Sequence, residues 1–176
     1  MTVLRVSLVF LFAITALSAH ASQLGLYFDS AGRSDSRDVA AFEVFTFYVI
    51  ASDVSSDISG YEFGIAFDSQ LSILSAASPR VVVNVADGIQ NWVVGIGGCV
   101  SASSGLVLVQ YSAMFQVEVA NFRIFLRGAD VSSSSGAPAY LPCGVGAQRE
   151  SFDDLVHATV NLKPESWGSL KERYDE

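Results

Sequence analysis

The sequence predicts an all-β domain, built as a sandwich or a barrel, over most of its 176 residues. Short runs rich in Val, Ile, Phe and Tyr follow one another, and Gly, Pro, Asp and Ser turn signals separate them. Between 23 and 162 no apolar pattern repeats with the helical period of about 3.6 residues. β-Branched and aromatic side chains pack well on a pleated surface, and many short strands are typical of all-β sandwiches and barrels.

Turn residues divide the chain into the predicted strands. In chain order these strands cover 23–28, 42–51, 61–67, 71–74, 80–85, 91–96, 106–111, 117–126 and 155–162. The run 42–51 is apolar on both sides, as expected of a central strand that is covered on both faces. The polar residues 34–38 and the Ser/Gly-rich residues 132–138 are predicted to form loops. A change of phase near Ala120 and Asn121 indicates a bulge.

Residues 58–74, ISGYEFGIAFDSQLSIL, contain the clearest strand pattern. Apolar side chains occupy every second position from 61 to 67, and Glu62, Gly64 and Ala66 lie between them. Because successive side chains of a strand point to opposite faces, one face is predicted to be buried and the other exposed. The buried set is Tyr61, Phe63, Ile65 and Phe67.

The carboxyl end, residues 164–176, is predicted to form a short helix after the β-domain. Ser166 is placed to cap this helix, because its hydroxyl can accept a hydrogen bond from the first turn. Trp167, Leu170 and Tyr174 fall at i, i+3 and i+7, and therefore lie on one stripe.

The amino end is predicted to be a secretory signal peptide, residues 1–21. Arg5 supplies a positive charge, residues 6–17 are apolar, and Ala19 and Ala21 form an A-x-A cleavage signal. An apolar run of about a dozen residues is too short to cross a bilayer, which needs about 20. The alternative is an uncleaved membrane anchor. We therefore expect a mature chain that starts at Ser22, is not inserted in a membrane, and is secreted, displayed at the cell surface or kept in the periplasm.

The formal net charge of −8 excludes several classes of partner. Lys and Arg do not cluster anywhere in the sequence. Nucleic acids and anionic membrane surfaces attract basic stripes, so the sequence predicts that this chain binds neither.

The two cysteines, Cys99 and Cys143, both follow the predicted signal peptide. In an exported protein an even pair indicates a disulfide. The alternative is a metal or redox pair, which the spacing disfavours because it is not C-x-x-C and no His lies near in the sequence.

No set of residues in the sequence predicts catalysis or a bound cofactor. His157 is the one histidine beyond the signal peptide, and its place in the predicted last strand favours a structural role. No G-x-S-x-G element is present, and Asp153 and Asp154 are neighbours in a predicted turn. Calcium has candidate ligands in the loops, but their spacing fits no EF-hand, so no metal is predicted. These candidates are Asp29, Asp35, Asp38, Asp53 and Asp57.

The segment 58–74 resembles the cohesin family of secreted bacterial modules. The family carries an "IxGfxFxLxYD" strand followed by an "LxxLxV" strand, and FTFYVIASDVSSD before them is similar to its second strand and loop. The matching residues are Ile58, Gly60, Tyr61, Phe63, Ile65, Phe67, Asp68, Leu71 and Leu74. The resemblance implies an immunoglobulin-like, jelly-roll β-sandwich of nine strands, which we expect to span 22–163.

Many members of this family bind dockerin modules through one sheet face, and others belong to cell-surface proteins with no established partner. The expectation for this chain is a non-catalytic secreted or cell-surface recognition or assembly module with a dockerin-like protein partner. Two alternatives remain: a carbohydrate-binding module that uses Trp92 on a polysaccharide, and a structural surface protein that associates with itself.

Overall fold

Two β-sheets face each other in the computed structural model, which describes residues 21–117, 121–131 and 136–162. None of these residues is helical, so none of them belongs to a helix able to cross a membrane. The predicted signal peptide up to residue 20 and the predicted helix 164–176 lie outside the described residues. The strands of the described ranges are β1 (Gln23–Tyr27), β2 (Ser36–Val39), β3 (Val44–Ser52), β4 (Ile58–Ala66), β5 (Leu71–Ala77), β6 (Val82–Asn84), β7 (Asn91–Val100), β8 (Leu106–Phe115), β9 (Phe122–Arg127), β10 (Ala139–Pro142), β11 (Glu150–Ser151), β12 (Asp154–Val156) and β13 (Ala158–Leu162).

The strand order places β4 at the centre of the second sheet. The first sheet has the order β12–β1–β3–β8–β5. The second has the order β11–β10–β4–β9–β13–β2, and β7 pairs with β4 on the edge opposite β10 and β9. Among the described residues β6 pairs with β7 alone, so it forms an edge of this sheet.

Aromatic side chains from both sheets form the middle of the core. The rings of Phe47 and Tyr111 stack with their centroids 4.7 Å apart, and Phe115 meets Phe122 of the other sheet edge to face at 4.8 Å. The indole Nε1 of Trp92 donates to the hydroxyl of Tyr111 at 2.7 Å. These contacts join the two sheets through β7, β8 and β9.

The buried face predicted for 61–67 is confirmed, but the other face is not fully exposed, since Gly64 is buried and the side chain of Glu62 is 14% exposed. Tyr61, Phe63 and Ile65 are buried in the core, while Glu62 lies on the outer face of β4. Phe67 follows the end of the strand and is partly buried against the core. The amphipathic pattern correctly identified the inner face because one face of β4 is apolar throughout.

The predicted last strand, 155–162, is divided into two strands that belong to different sheets. β12 pairs in parallel with β1 of the first sheet, and β13 pairs with β9 and β2 of the second. His157 lies between them, exposed, and its Nδ1 accepts a hydrogen bond from the N–H of Leu126 at 3.1 Å. Because the apolar pattern is continuous over 155–162, it gave no indication that the chain passes from one sheet to the other here.

Two segments without a strand pattern form strands because distant strands pair with them. The polar residues 34–38 were predicted to be a loop, but Ser36–Val39 forms β2 against β13. Ala139–Pro142 forms β10 against β4, and the two-residue strand β11 pairs with β10. The structure therefore has more strands than the nine expected.

The run 42–51 begins later than predicted, and its first part is not covered on both faces. β3 starts at Val44, because Phe42 has a left-handed conformation with φ of 62° and is 62% exposed. The central position is confirmed, since β3 lies between β1 and β8. On its outer side Val44 is exposed, and Tyr48 is half-buried.

The run predicted over 117–126 gives β9 only from Phe122 onward, and 118–120 lie outside the described residues. Asn121, where the change of phase was noted, has a left-handed φ of 54° directly before the strand. β5, β7 and β8 extend further along the chain than their patterns indicated.

Two buried tyrosines predict a loss of stability at alkaline pH. Burial raises the pKa of Tyr61 to about 12, and burial likewise raises the pKa of Tyr111. In the unfolded chain a tyrosine ionises near pH 10, so above that value the unfolded state binds fewer protons than the folded state. We expect the free energy of unfolding to fall by about 1.4 kcal/mol per pH unit for each buried tyrosine from about pH 10 to its folded pKa.

Urea titrations between pH 8 and pH 11.5 measure this slope. Tyr61→Phe removes one ionising group and is expected to make the decline shallower. An unchanged slope in Tyr61→Phe would contradict the assignment of Tyr61 to this titration.

Candidate docking face

The disulfide joins the two strands that flank the start of β4. Cys99 lies near the end of β7 and Cys143 directly follows β10, and the two are bonded with their Cα atoms 5.9 Å apart. Ile58 of β4 pairs with Val100 on one side and with Pro142 on the other. Both ladders shift register at this point, which brings the two neighbours of β4 together across its first residue. The N–H of Cys143 also donates to the carbonyl of Asp57 at 2.8 Å.

Beside this bond, four adjacent strands present one continuous outer face, which we call the docking face. Residues directly opposite in a ladder point to the same side, and the registers Val83↔Gly95, Gly60↔Gly95 and Gly60↔Leu141 connect β6, β7, β4 and β10. Four strands at a spacing of about 4.8 Å give a platform about 19 Å wide. The docking face consists of Val81, Val83, Val85, Val93, Gly95, Glu62 and Leu141, and two further positions on the same side of the sheet, Gly60 and Ala139, are buried.

The exposed edge of the docking face is a row of valines. Val81, Val83 and Val85 are 95%, 70% and 73% exposed, and they alternate with the half-buried Val82 and Asn84 along and beside β6. Asn84 turns its side chain inward to the chain itself: its Oδ1 accepts from the N–H of Ala86 at 3.1 Å and of Val93 at 3.0 Å. The outer side of this strand therefore carries apolar side chains alone.

The middle of the docking face is almost bare backbone. A Cβ at Gly60 would lie 2.7 Å from the carbonyl oxygen of Val94, so glycine is required for the close approach of β4 and β7. A Cβ at Gly95 would meet nothing within 4 Å. Gly95 is thus an exposed position at which the fold can accommodate a side chain.

One ion pair borders the docking face at β10. Glu62 Oε1 contacts the Arg149 Nη2, and both side chains are largely buried, at 14% and 27% exposure. Arg149 Nη2 also donates to the carbonyl of Ala137 at 3.2 Å. Glu62 and Arg149, with Val93, Gly95 and Leu141, line a shallow cavity of about 230 Å³. The charge on this side is therefore compensated, and the cavity walls are mainly apolar.

The other residues singled out in the sequence do not converge on this face. His157 contacts Phe125, with ring centroids 5.3 Å apart, and satisfies a backbone N–H. Asp29 accepts hydrogen bonds from the N–H groups of Ala31, Arg33 and Ser34, as turn acids do. Within 21–117, 121–131 and 136–162, no group of three or more His, Cys, Asp or Glu side chains is arranged to hold a metal ion.

Trp92 lies in the core and not on the docking face. It is 4% exposed, and its ring stacks near Phe63 at a centroid distance of 6.4 Å. The alternative of a carbohydrate-binding module that uses Trp92 is therefore not supported, because this side chain is not available to stack on a sugar ring.

No protein-family model matches the chain, and no curated protein matches it in sequence. Solved structures do match it. The seventh ScaB type I cohesin from Pseudobacteroides cellulosolvens has a TM-score of 0.56 and 8% identity, over 83% of this chain and 94% of that one. The sixth cohesin of scaffoldin B from Acetivibrio cellulolyticus, solved in complex with a Cel5 dockerin variant, has a TM-score of 0.56 and 14% identity, over 81% and 99% of the two chains.

A third match comes from an archaeon. The non-cellulosomal cohesin from Archaeoglobus fulgidus has a TM-score of 0.51 and 8% identity, over 89% of this chain and 99% of that one. The protein is thus an all-β sandwich with a cohesin-like fold, as the resemblance of residues 58–74 predicted.

Proposed function

We propose that this chain is an exported, non-catalytic assembly module that binds a protein partner on the docking face. The observation that carries the proposal is the uncharged outer surface of β6 and β7. Three exposed valines there adjoin the bare backbone at Gly95. Contiguous exposed apolar surface of this kind marks interaction sites on soluble proteins.

The partner that we propose is a dockerin-like protein module. Two of the structures similar to this chain are cohesins in complex with dockerins, from Acetivibrio cellulolyticus and from Clostridium thermocellum. The support is an analogy of fold, which the geometry strengthens because a flat, wide platform suits a folded module better than a small ligand.

The charge distribution of the docking face favours specific binding over nonspecific hydrophobic association. Glu62 and Arg149 compensate each other at its border, so a partner meets a mostly neutral centre. Burying an apolar centre contributes most of the affinity in such interfaces, while a polar rim determines orientation. The acidic net charge of −8 then favours a partner whose own rim is basic.

A charged side chain at Gly95 is expected to abolish partner binding without unfolding the module. Gly95→Glu places a carboxylate on the docking face, where the Cβ meets no atom of the chain within 4 Å. An unpaired charge buried in an interface costs several kcal/mol, so we expect at least a hundredfold weaker binding. Isothermal titration against dockerin modules from the source organism, with melting temperature as the folding check, measures both effects.

Ser75→Glu is the matched control, because Ser75 is exposed on β5 in the other sheet. It adds the same charge and is expected to leave binding unchanged. Equal affinity in the two variants would place the interface elsewhere. Sedimentation velocity of the native chain and of Val83→Glu tests self-association. If the native chain forms a concentration-dependent dimer and Val83→Glu is a monomer, the partner is a second copy of this chain.

A further inference from the structure

Ser22, the residue before β1, is held by the segment that leads into β12. Its N–H donates to Asp153 Oδ2 at 2.9 Å, and its hydroxyl donates to the same oxygen at 2.7 Å. Its carbonyl accepts the N–H groups of Asp153 at 2.9 Å and of Asp154 at 3.1 Å. Ser22 is only 5% exposed. Few residues at the beginning of a domain are fixed by so many bonds.

The same residue follows the predicted cleavage signal. Ala19 and Ala21 put small side chains at the third and first positions before the bond between Ala21 and Ser22. Hydrolysis of that amide adds the hydroxyl of water to the carbonyl carbon of Ala21 and a hydrogen to the nitrogen of Ser22. The proton of the new carboxylic acid then passes to the amine, which leaves a carboxylate on Ala21 and an ammonium on Ser22.

We propose that cleavage before Ser22 converts its hydrogen bond with Asp153 into an ion pair that fastens β1 to β12. The uncleaved chain has a neutral amide at this position, and the processed chain has a positive charge 2.9 Å from a carboxylate oxygen. The proposal rests on the export that the proposed function includes. It assigns a structural role to the new amino terminus, namely to lock the first strand after the leader has been removed.

The groups around Ser22 favour a positive charge. The carboxylate of Asp153 faces the Ser22 nitrogen, and Asp154 contacts Ser22 through its backbone N–H alone. Glu150 of β11 accepts a hydrogen bond at 2.7 Å from the hydroxyl of Tyr140, which also contacts Ser22. The hydrogen bonds from Ser22 lower the pKa of Asp153, so its carboxylate is ionised at neutral pH. Asp153 is exposed to solvent, so added salt is expected to weaken the ion pair.

Four forms of the chain beginning at Ser22 test the ion pair. The native and Asp153→Asn chains are each prepared with a free amino terminus and with an acetylated one, which keeps the N–H donor but removes the charge. Near pH 6 the free amine is expected to raise the melting temperature of the native chain by about 2 °C or more. The difference is expected to disappear in Asp153→Asn, and to vanish in the native chain above about pH 9 as the amine deprotonates.

Asp154→Asn is the control, since the side chain of Asp154 accepts from Gln23 instead of Ser22. It is expected to keep the difference between the free and acetylated forms. Equal melting of the two native forms overturns the ion pair, and mass spectrometry of an exported chain that starts anywhere but Ser22 overturns the cleavage site. Neither measurement uses a binding partner, so a failure here is separate from a failure of the docking face.

Discussion

Replacing both Cys99 and Cys143 by serine is expected to lower the free energy of unfolding by up to about 4 kcal/mol. The bond closes a loop with a sequence separation of 44 residues, and a cross-link stabilises a fold by restricting the unfolded chain. In this protein the bond also holds β7 and β10 against the first residue of β4. Urea unfolding of the oxidised protein and of the double variant measures the loss.

The double variant is preferred to a single substitution because a lone thiol can form a bond between two molecules. Reductant is expected to lower the stability of the native chain to that of the variant, and to leave the variant unchanged. Because the bond lies at one end of the docking face, its loss is also expected to weaken partner binding. Equal stability of the oxidised and reduced chains would contradict the structural role of this bond.

The sequence was most informative where one face of a strand is apolar and the other is not. Tyr61, Phe63 and Ile65 alternate with small or charged residues, and the structure buries all three. Glycine at 60 and 64 reinforces the pattern, since a Cβ at either position would lie 2.7 Å from a backbone oxygen. At these positions the local strand pattern and the packing against neighbouring strands restrict the residue type in the same way.

Strand pairing between distant segments could not be predicted from local pattern. Ser36–Val39 has the composition of a loop, yet it forms β2 because β13 offers it a parallel partner. The run 155–162 has one rhythm, yet β12 and β13 pair in different sheets on either side of His157. In both cases the structure is determined by partners more than 30 residues away, about which the local residues carry no signal.

The outward side of the valine-rich edge of the docking face could not be predicted, for a different reason. A strand was predicted over 80–85, and the structure has one at Val82–Asn84, but valine on both faces left open which side of the strand points outward. Asn84 is the one polar residue of 81–85, so composition alone predicts that the even-numbered side chains point outward. In the structure the odd-numbered side chains point outward instead. Asn84 is turned inward because its side chain satisfies two backbone N–H groups. A search for an uncharged edge strand would have found Val81, Val83 and Val85, although not the face to which they belong.

The hydroxyl of Tyr111 is the polar centre of the core, and its removal is expected to cost about 2–3 kcal/mol. It accepts the indole N–H of Trp92 at 2.7 Å and donates to the carbonyl of Ile89 at 2.9 Å. Tyr111→Phe leaves the buried indole N–H of Trp92 without a bond, and an unsatisfied buried group costs about 1–3 kcal/mol, while the carbonyl of Ile89, an exposed residue, can bond to water. Chemical unfolding measures the loss, and a red-shifted tryptophan emission would report local opening around Trp92.

Tyr27→Phe is the matched control, because the hydroxyl of Tyr27 donates only to the side chain of Gln23 near the surface. After its loss, water can reach the Gln23 oxygen, so we expect a change within about 0.5 kcal/mol. Tyr61→Phe is expected to fall between the two, since it frees one carbonyl, that of Leu108, and no indole donor. If all three substitutions cost the same, the bond between Trp92 and Tyr111 does not hold the sheets together, and the core is stabilised by ring packing alone.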